Sequence, residues 1–94
     1  MPKRLAPIHP GEILKDEMDE RGLSANALAH ALRVPPNRVS SIVNGQRSIT
    51  ADTAHRLARY FGTSAEMWMN LQVDYDLEVA NVKQIHREVL PSAG

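Results

Sequence analysis

Not one of the 94 residues is a cysteine. That absence excludes a disulfide framework, a thiolate nucleophile and any zinc or iron–sulfur centre held by sulfur, and it is what a reducing, cytoplasmic setting leads one to expect. Aromatic residues are almost as scarce, with one Trp, two Tyr and one Phe. A core must therefore come mostly from Leu, Ile, Val and Ala, which suits packed helices better than a sheet. No stretch alternates apolar and polar residues with the period of a strand, and none approaches the ~20 apolar residues of a membrane span. The brief basic start, Met1 to Arg4, is not followed by an apolar stretch of signal-peptide length. The expectation is an all-α, soluble, unprocessed chain. At this length, with 43% apolar residues, it holds one modest core and one domain.

Net charge is missing too: 11 Lys and Arg balance 11 Asp and Glu. Such a balance argues against a phosphate-rich partner, because phosphate contact is the main source of affinity for nucleic acid. The distribution reverses the argument. Arg33, Arg38, Arg47, Arg56 and Arg59 face only Asp52 in the middle third, whereas Asp16, Glu17, Asp19 and Glu20 crowd the first and Asp74, Asp76 and Glu78 the last. A basic centre flanked by acidic, protein-facing ends is the pattern of a DNA reader.

Local signals divide the chain into five helices after an N-terminal arm, residues 1–9, in which Pro2 and Pro7 interrupt any periodicity. Pro10 suits a first helical position and Gly22 a stop, giving helix one over about 10–21, with Ile13, Leu14 and Met18 on its apolar stripe. Ser24 caps helix two, about 25–32, and Arg33-Val34-Pro35-Pro36 ends it. Pro36 opens helix three, about 36–43, where Val39, Ile42 and Val43 have i, i+3, i+4 spacing before the Asn44-Gly45 stop. Thr50 caps a fourth helix running to Gly62, with Ala54, Leu57, Ala58 and Phe61 inward. Ser64 starts a longer C-terminal helix, expected over about 64–88, with Pro91 to Gly94 fraying. The single domain spans 10–90.

Two short helices joined by a three- or four-residue turn, the second tightly bounded, form a helix-turn-helix over Ser24 to Asn44. Leu28, Ala29, Leu32, Val34, Val39 and Ile42 point inward, and Ala29 must be small for the helices to cross closely. Pro36, Asn37, Arg38, Ser40, Ser41 and Asn44 then face outward as candidate DNA-binding residues. Asn37 suits the N6/N7 edge of adenine, Arg38 a guanine or a phosphate, and the serines discriminate less. Arg47 and Ser48 follow on the same side. Thr50 with the free N–H groups of helix four, and Ser24 with those of helix two, can each hold a backbone phosphate besides capping their helices. Trp68, Leu71, Tyr75 and Leu77 are read as core or dimer contacts, in preference to an aromatic platform for bases. His9, His30, His55 and His86 lack metal-ligand spacing, and no nucleophile, base or phosphate loop accompanies the carboxylates. Neither a metal, nor a cofactor, nor an enzyme activity is expected.

These residues resemble the HigA-type antitoxins, a branch of the lambda-repressor-like helix-turn-helix proteins of the XRE family. The similarity runs from His9 to about Leu77 and rests on His9-Pro10-Gly11-Glu12, Leu28-Ala29, Val34-Pro35, Asn37-Arg38-Val39, Ile42-Val43-Asn44-Gly45, Arg47-Ser48-Ile49-Thr50, Thr53-Ala54, Arg56-Leu57-Ala58, Phe61-Gly62 and Trp68 through Leu71-Gln72 to Tyr75-Asp76-Leu77. It implies a five-helix lambda-repressor-like domain and a homodimer that represses its own operon from a palindromic operator. It further implies neutralisation of a HigB-type toxin, a RelE-like mRNA endonuclease. The positions matching Pro36 to Ser41 would contact bases, and the C-terminal helix from Trp68 would help form the dimer.

Three departures from that pattern involve four positions. Pro36 replaces a frequent basic residue, Ser40 and Ser41 replace bulkier polar ones, and Arg33 stands where a turn glycine is common, which implies strained backbone angles there. The operator is therefore this chain's own. Two other readings stand beside the antitoxin: a stand-alone helix-turn-helix repressor with no toxin, and a protein-interaction module that no longer binds DNA. The acidic face of helix one, the N-terminal arm and the segment from Asp74 are all open as the toxin-contact surface.

Overall fold

The structure is a computed structural model that describes residues 6–93. Among these are six α-helices and no strand: α1 Pro10–Arg21, α2 Ala25–Leu32, α3 Pro36–Val43, α4 Ala51–Phe61, α5 Ala65–Val79 and α6 Val82–Glu88. The starts follow local chemistry. Ser24, Thr50 and Ser64 each accept the backbone N–H three residues on, at Ala27, Thr53 and Met67. At α1 the cap is His9, whose Nδ1 accepts the Gly11 N–H at 2.9 Å while its own N–H donates to Glu12 Oε2 at 3.1 Å. This is a capping box with imidazole in the place of a hydroxyl.

Helices α2 and α3 pack on each other, α2 also leans on α4, α4 lies along α5, and α1 closes the bundle against α3 and α5. One core results. It joins Leu14 and Met18 of α1, Leu28, Ala29 and Leu32 of α2, Val39 and Ile42 of α3, Ile49 of the following loop, Ala54, Leu57 and Phe61 of α4, and Trp68 of α5. Trp68 has no exposed surface, and its indole N–H is satisfied by Thr63 Oγ1 at 2.9 Å. Val34, expected inward, packs half-buried at the edge.

Gly11 is the tightest point. A Cβ built there would overlap the Ile42 carbonyl oxygen and lie 2.8 Å from the carbonyl carbon, so α1 meets the C-terminal turn of α3 backbone to backbone. Arg33, at the C-cap of α2, has φ 60° and ψ 43° and is the sole non-glycine residue with positive φ among those described. The strained angles expected from its sequence position are present.

Two expectations change. The C-terminal helix of 64–88 is two helices, because Ala80 is extended (φ −63°, ψ 141°) and Asn81 starts a new one, its side chain accepting the Gln84 N–H at 3.0 Å. Past Tyr75 every residue of α5 is exposed, so no packing opposes the preference of Asn to cap rather than continue a helix. The domain thus has six helices instead of five. Residues 89–93 carry no helix. Of the arm expected over 1–9, residues 1–5 lie outside the described residues, and His9 belongs to the cap of α1, only 8% exposed. The projecting C-terminal end gives a radius of gyration of 16.2 Å, against roughly 12 Å for a compact chain of this length.

Two substitutions test this packing by thermal or urea unfolding. Gly11→Ala should destabilise the fold by about 3 kcal/mol, since backbone must move to admit the methyl. Arg33→Gly should stabilise it by about 0.5–1 kcal/mol, the relief of left-handed strain exceeding the added freedom of the unfolded chain.

Candidate nucleic-acid interface

Pro35 offers α3 no side-chain cap, and Pro36 at the first helical position needs none for its own nitrogen. Burial of Val39 and Ile42 turns the opposite face outward. Pro36, Asn37 and Asn44 are exposed, and Arg38, Ser40 and Ser41 are half-buried. The structure therefore brings the expected recognition residues onto one face, with one distinction among them. The Ser40 hydroxyl donates to the Asn37 carbonyl of its own helix at 3.2 Å, while no such bond engages Ser41 among the described residues.

Arg38 leans from α3 toward α4, where one guanidinium nitrogen donates to Thr53 Oγ1 at 3.4 Å. Thr53 is buried, and its hydroxyl oxygen also accepts from Thr50 Oγ1 at 3.4 Å. Arg38, Arg47, Ser48, Thr50, Asp52 and Thr53 together line a cleft of about 290 Å³ at the start of α4. Its charge is unbalanced. Asp52 pairs with Arg56 at 2.8 Å, whereas neither Arg38 nor Arg47 is ion-paired with a carboxylate among the described residues. The hydrogen bond from Arg56 holds the Asp52 carboxyl below its ordinary value against desolvation, and the charges of Arg56, Arg38 and His55 act in the same direction as that bond. Two guanidinium groups with no ion-pair partner among the described residues, beside a helix N-terminus that itself carries partial positive charge, suit a phosphate. Ser24, exposed at the start of α2, repeats the helix-start geometry without an arginine.

Residues that the sequence reading did not assign hold this surface from behind. Arg56 reaches across from α4 to donate to the Leu32 carbonyl at 2.9 Å, closing the C-terminus of α2 just before the turn. Gln72 of α5, 3% exposed, accepts the Ile49 N–H at 2.7 Å and so anchors the loop between α3 and α4. His9 contacts Tyr75 edge to face at 4.8 Å. Both Arg56 and Gln72 stood within quoted motifs, yet their bonds span 24 and 23 residues, and no local pattern predicts such a partner.

Of the expected core or dimer residues, Trp68 is core, Leu71 and Tyr75 are half-buried, and Leu77 is 68% exposed. Val73 is 48% exposed along the same helix. A larger open depression of about 560 Å³ lies between α2 and α4, lined by Ala31, Leu32, Asp52, His55, Arg56, Arg59 and Tyr60, and none of the candidate DNA residues reaches it. Among the described residues no cluster of three His, Asp or Glu could hold a metal, and no helix is long and apolar enough to cross a membrane.

Residues 14–68 match the helix-turn-helix family HTH_3. Virulence-associated protein I of Dichelobacter nodosus is 60% identical over 74 residues, which cover 78% of this chain and 68% of that protein. An addiction module antidote protein of the HigA family from Coxiella burnetii superposes with a TM-score of 0.85 at 53% identity, covering 94% of this chain and 100% of the other. The Pseudomonas aeruginosa antitoxin HigA, solved with the higBA promoter, superposes with a TM-score of 0.84 at 55% identity, covering 90% and 97%. With the helix-turn-helix model matched over more than half its length and HigA structures aligned over nearly all of it, this chain belongs to the helix-turn-helix family and, within it, to the HigA-type antitoxins.

Proposed function

We propose that this protein is an antitoxin that acts by binding, in two ways. As a homodimer it represses its own operon from a palindromic operator, and it neutralises a HigB-type, RelE-like mRNA endonuclease. One observation carries the DNA half: α3 presents its polar residues outward, and neither Arg38 nor Arg47 on that side is ion-paired with a carboxylate among the described residues. The likeness to a HigA antitoxin solved with its promoter supports both halves.

In this reading α3 enters the major groove. Asn37 pairs with an adenine edge and Arg38 with a guanine or a phosphate, its direction set by Thr53. Ser41 and Asn44 lie farther along the groove, Pro36 makes apolar or backbone contact, and Ser40 contributes little beyond its own helix. Arg47, Ser48 and the N–H groups at Thr50 hold one phosphate, and Ser24 with the start of α2 holds another. These contacts position the domain, and α3 supplies discrimination. The dimer forms along α5, where Val73 and Leu77 expose apolar surface that a second copy can cover. Its recognition helices should then stand about 34 Å apart, one turn of DNA. No step of this function calls for a metal or a cofactor.

Arg38→Ala should weaken operator binding by about 1–3 kcal/mol and relax one base position; an unchanged footprint removes Arg38 from base recognition. The toxin half is tested by growth. Expression of the neighbouring reading frame alone should arrest cells, and co-expression of this protein should relieve the arrest and yield a co-purifying complex. No arrest, with operator binding intact, moves the function to a stand-alone repressor. Binding to DNA that does not respond to salt would instead favour a protein-interaction module.

A further inference from the structure

We propose that Gln72 is a positioning residue for operator binding: it holds the loop carrying Arg47 and Ser48 in place, and through Asp76 it couples that loop to the outer surface of α5. The inference rests on the DNA-binding reading and adds to it a residue that touches no DNA.

The loop is tied to α3 at its start, where the Gly45 and Gln46 N–H groups donate to the Ile42 and Ser41 carbonyls, and to α5 at its end. At that end Gln72 Oε1 accepts the Ile49 N–H at 2.7 Å, with the Ile49 side chain locked in the core at 2% exposure. Across the loop Gln46, Arg47 and Ser48 are exposed, and after the Gln46 N–H bond to the Ser41 carbonyl the next one among the described residues is that of Ile49. The amide at position 72 is thus the first fixed point on the C-terminal side of Arg47.

Chemistry explains why the residue is glutamine. Its oxygen must accept from Ile49 and its nitrogen donates to Asp76 Oδ1 at 2.9 Å. An ionised carboxylate only accepts, so Asp76 dictates which way the amide faces and keeps the oxygen on Ile49. Asp76 is exposed, next to Leu77 on the helix surface offered to a second protein. A partner that draws the Asp76 carboxylate to itself removes one of the two bonds that fix the amide, so that the Ile49 N–H alone holds it and the loop is anchored less firmly. DNA affinity is in this way linked to what covers α5.

The test uses the full chain and the duplex that the wild-type protein selects from a randomised DNA pool, with affinity measured by fluorescence anisotropy at several salt concentrations. Gln72→Leu leaves the Ile49 N–H without an acceptor; Gln72→Glu keeps the acceptor but sets it against Asp76. Each should weaken binding about tenfold and lower the salt slope by about one, the signature of a lost phosphate contact, without relaxing any base preference. The double variant Gln72→Glu with Asp76→Asn restores a donor–acceptor pair of reversed polarity. It should recover wild-type affinity to within about threefold, together with exchange protection of the Ile49 amide. Affinities are compared at temperatures where circular dichroism shows each variant fully folded, and should Gln72→Leu not fold, the Glu and Glu/Asn variants decide the question. Wild-type binding by Gln72→Glu, or no recovery in the double variant, overturns the proposal. Arg38→Ala, remote from both bonds, separates the levels: loss of binding there with none at Gln72→Glu sinks the positioning role alone. Retention in both removes Arg38 and Gln72 alike from operator binding, whereas failure of the wild-type protein to select any duplex removes the DNA reading and this inference with it.

Discussion

An eight-residue helix does not persist in water, because nucleation costs more than so few hydrogen bonds return. The recognition helix α3 is that short and lacks a side-chain cap. It therefore exists only because neighbours impose it, and much of the domain can be understood as the set of constraints that do so. Val39 and Ile42 bind it to the core, α1 presses its backbone at Gly11 against the Ile42 carbonyl, and Arg38 reaches α4 through Thr53. A helix held from three sides presents its remaining face with little freedom, and such rigidity lowers the entropy lost on binding.

The same economy governs charge. A neutral chain has no long-range attraction for DNA, so affinity must come from where the cations stand. Arg56, which could have joined the outward set, is spent on Asp52 and the Leu32 carbonyl, stiffening the turn instead of meeting phosphate. Arg38 and Arg47 line the cleft at the start of α4 without an ion-pair partner among the described residues. The division of labour between structural and available arginines is a matter of reach across the fold, and composition is blind to it.

Sequence periodicity located the first four helices to within a residue because each is bounded by residues with strong local preferences: Pro10, Ser24, Pro36 and Thr50 at the starts, Gly22, Arg33 before proline, Asn44-Gly45 and Gly62 at the ends. It failed at Asn81, where apolar residues continue but nothing packs against them, so periodicity no longer reports burial. The outward face of α3 was legible because burial of Val39 and Ile42 leaves only one face. The roles of Gln72 and Arg56 were not legible, since a glutamine or an arginine on a helix reads as solvated until its distant partner is known. His9 was hidden for a different reason: imidazole is an uncommon cap, and the residue was read as part of the arm.

What the amino-acid order determined by itself was the all-helical class, the helix-turn-helix and its family, because these depend on caps, turns and apolar spacing that act over a few residues. What only the tertiary structure decided was how that motif is held: α1 seated on α3 at a glycine, and the loop after α3 tied to a buried amide on α5. Those are contacts between segments about 20 or more residues apart. Their partners are chosen by packing, which no local pattern encodes.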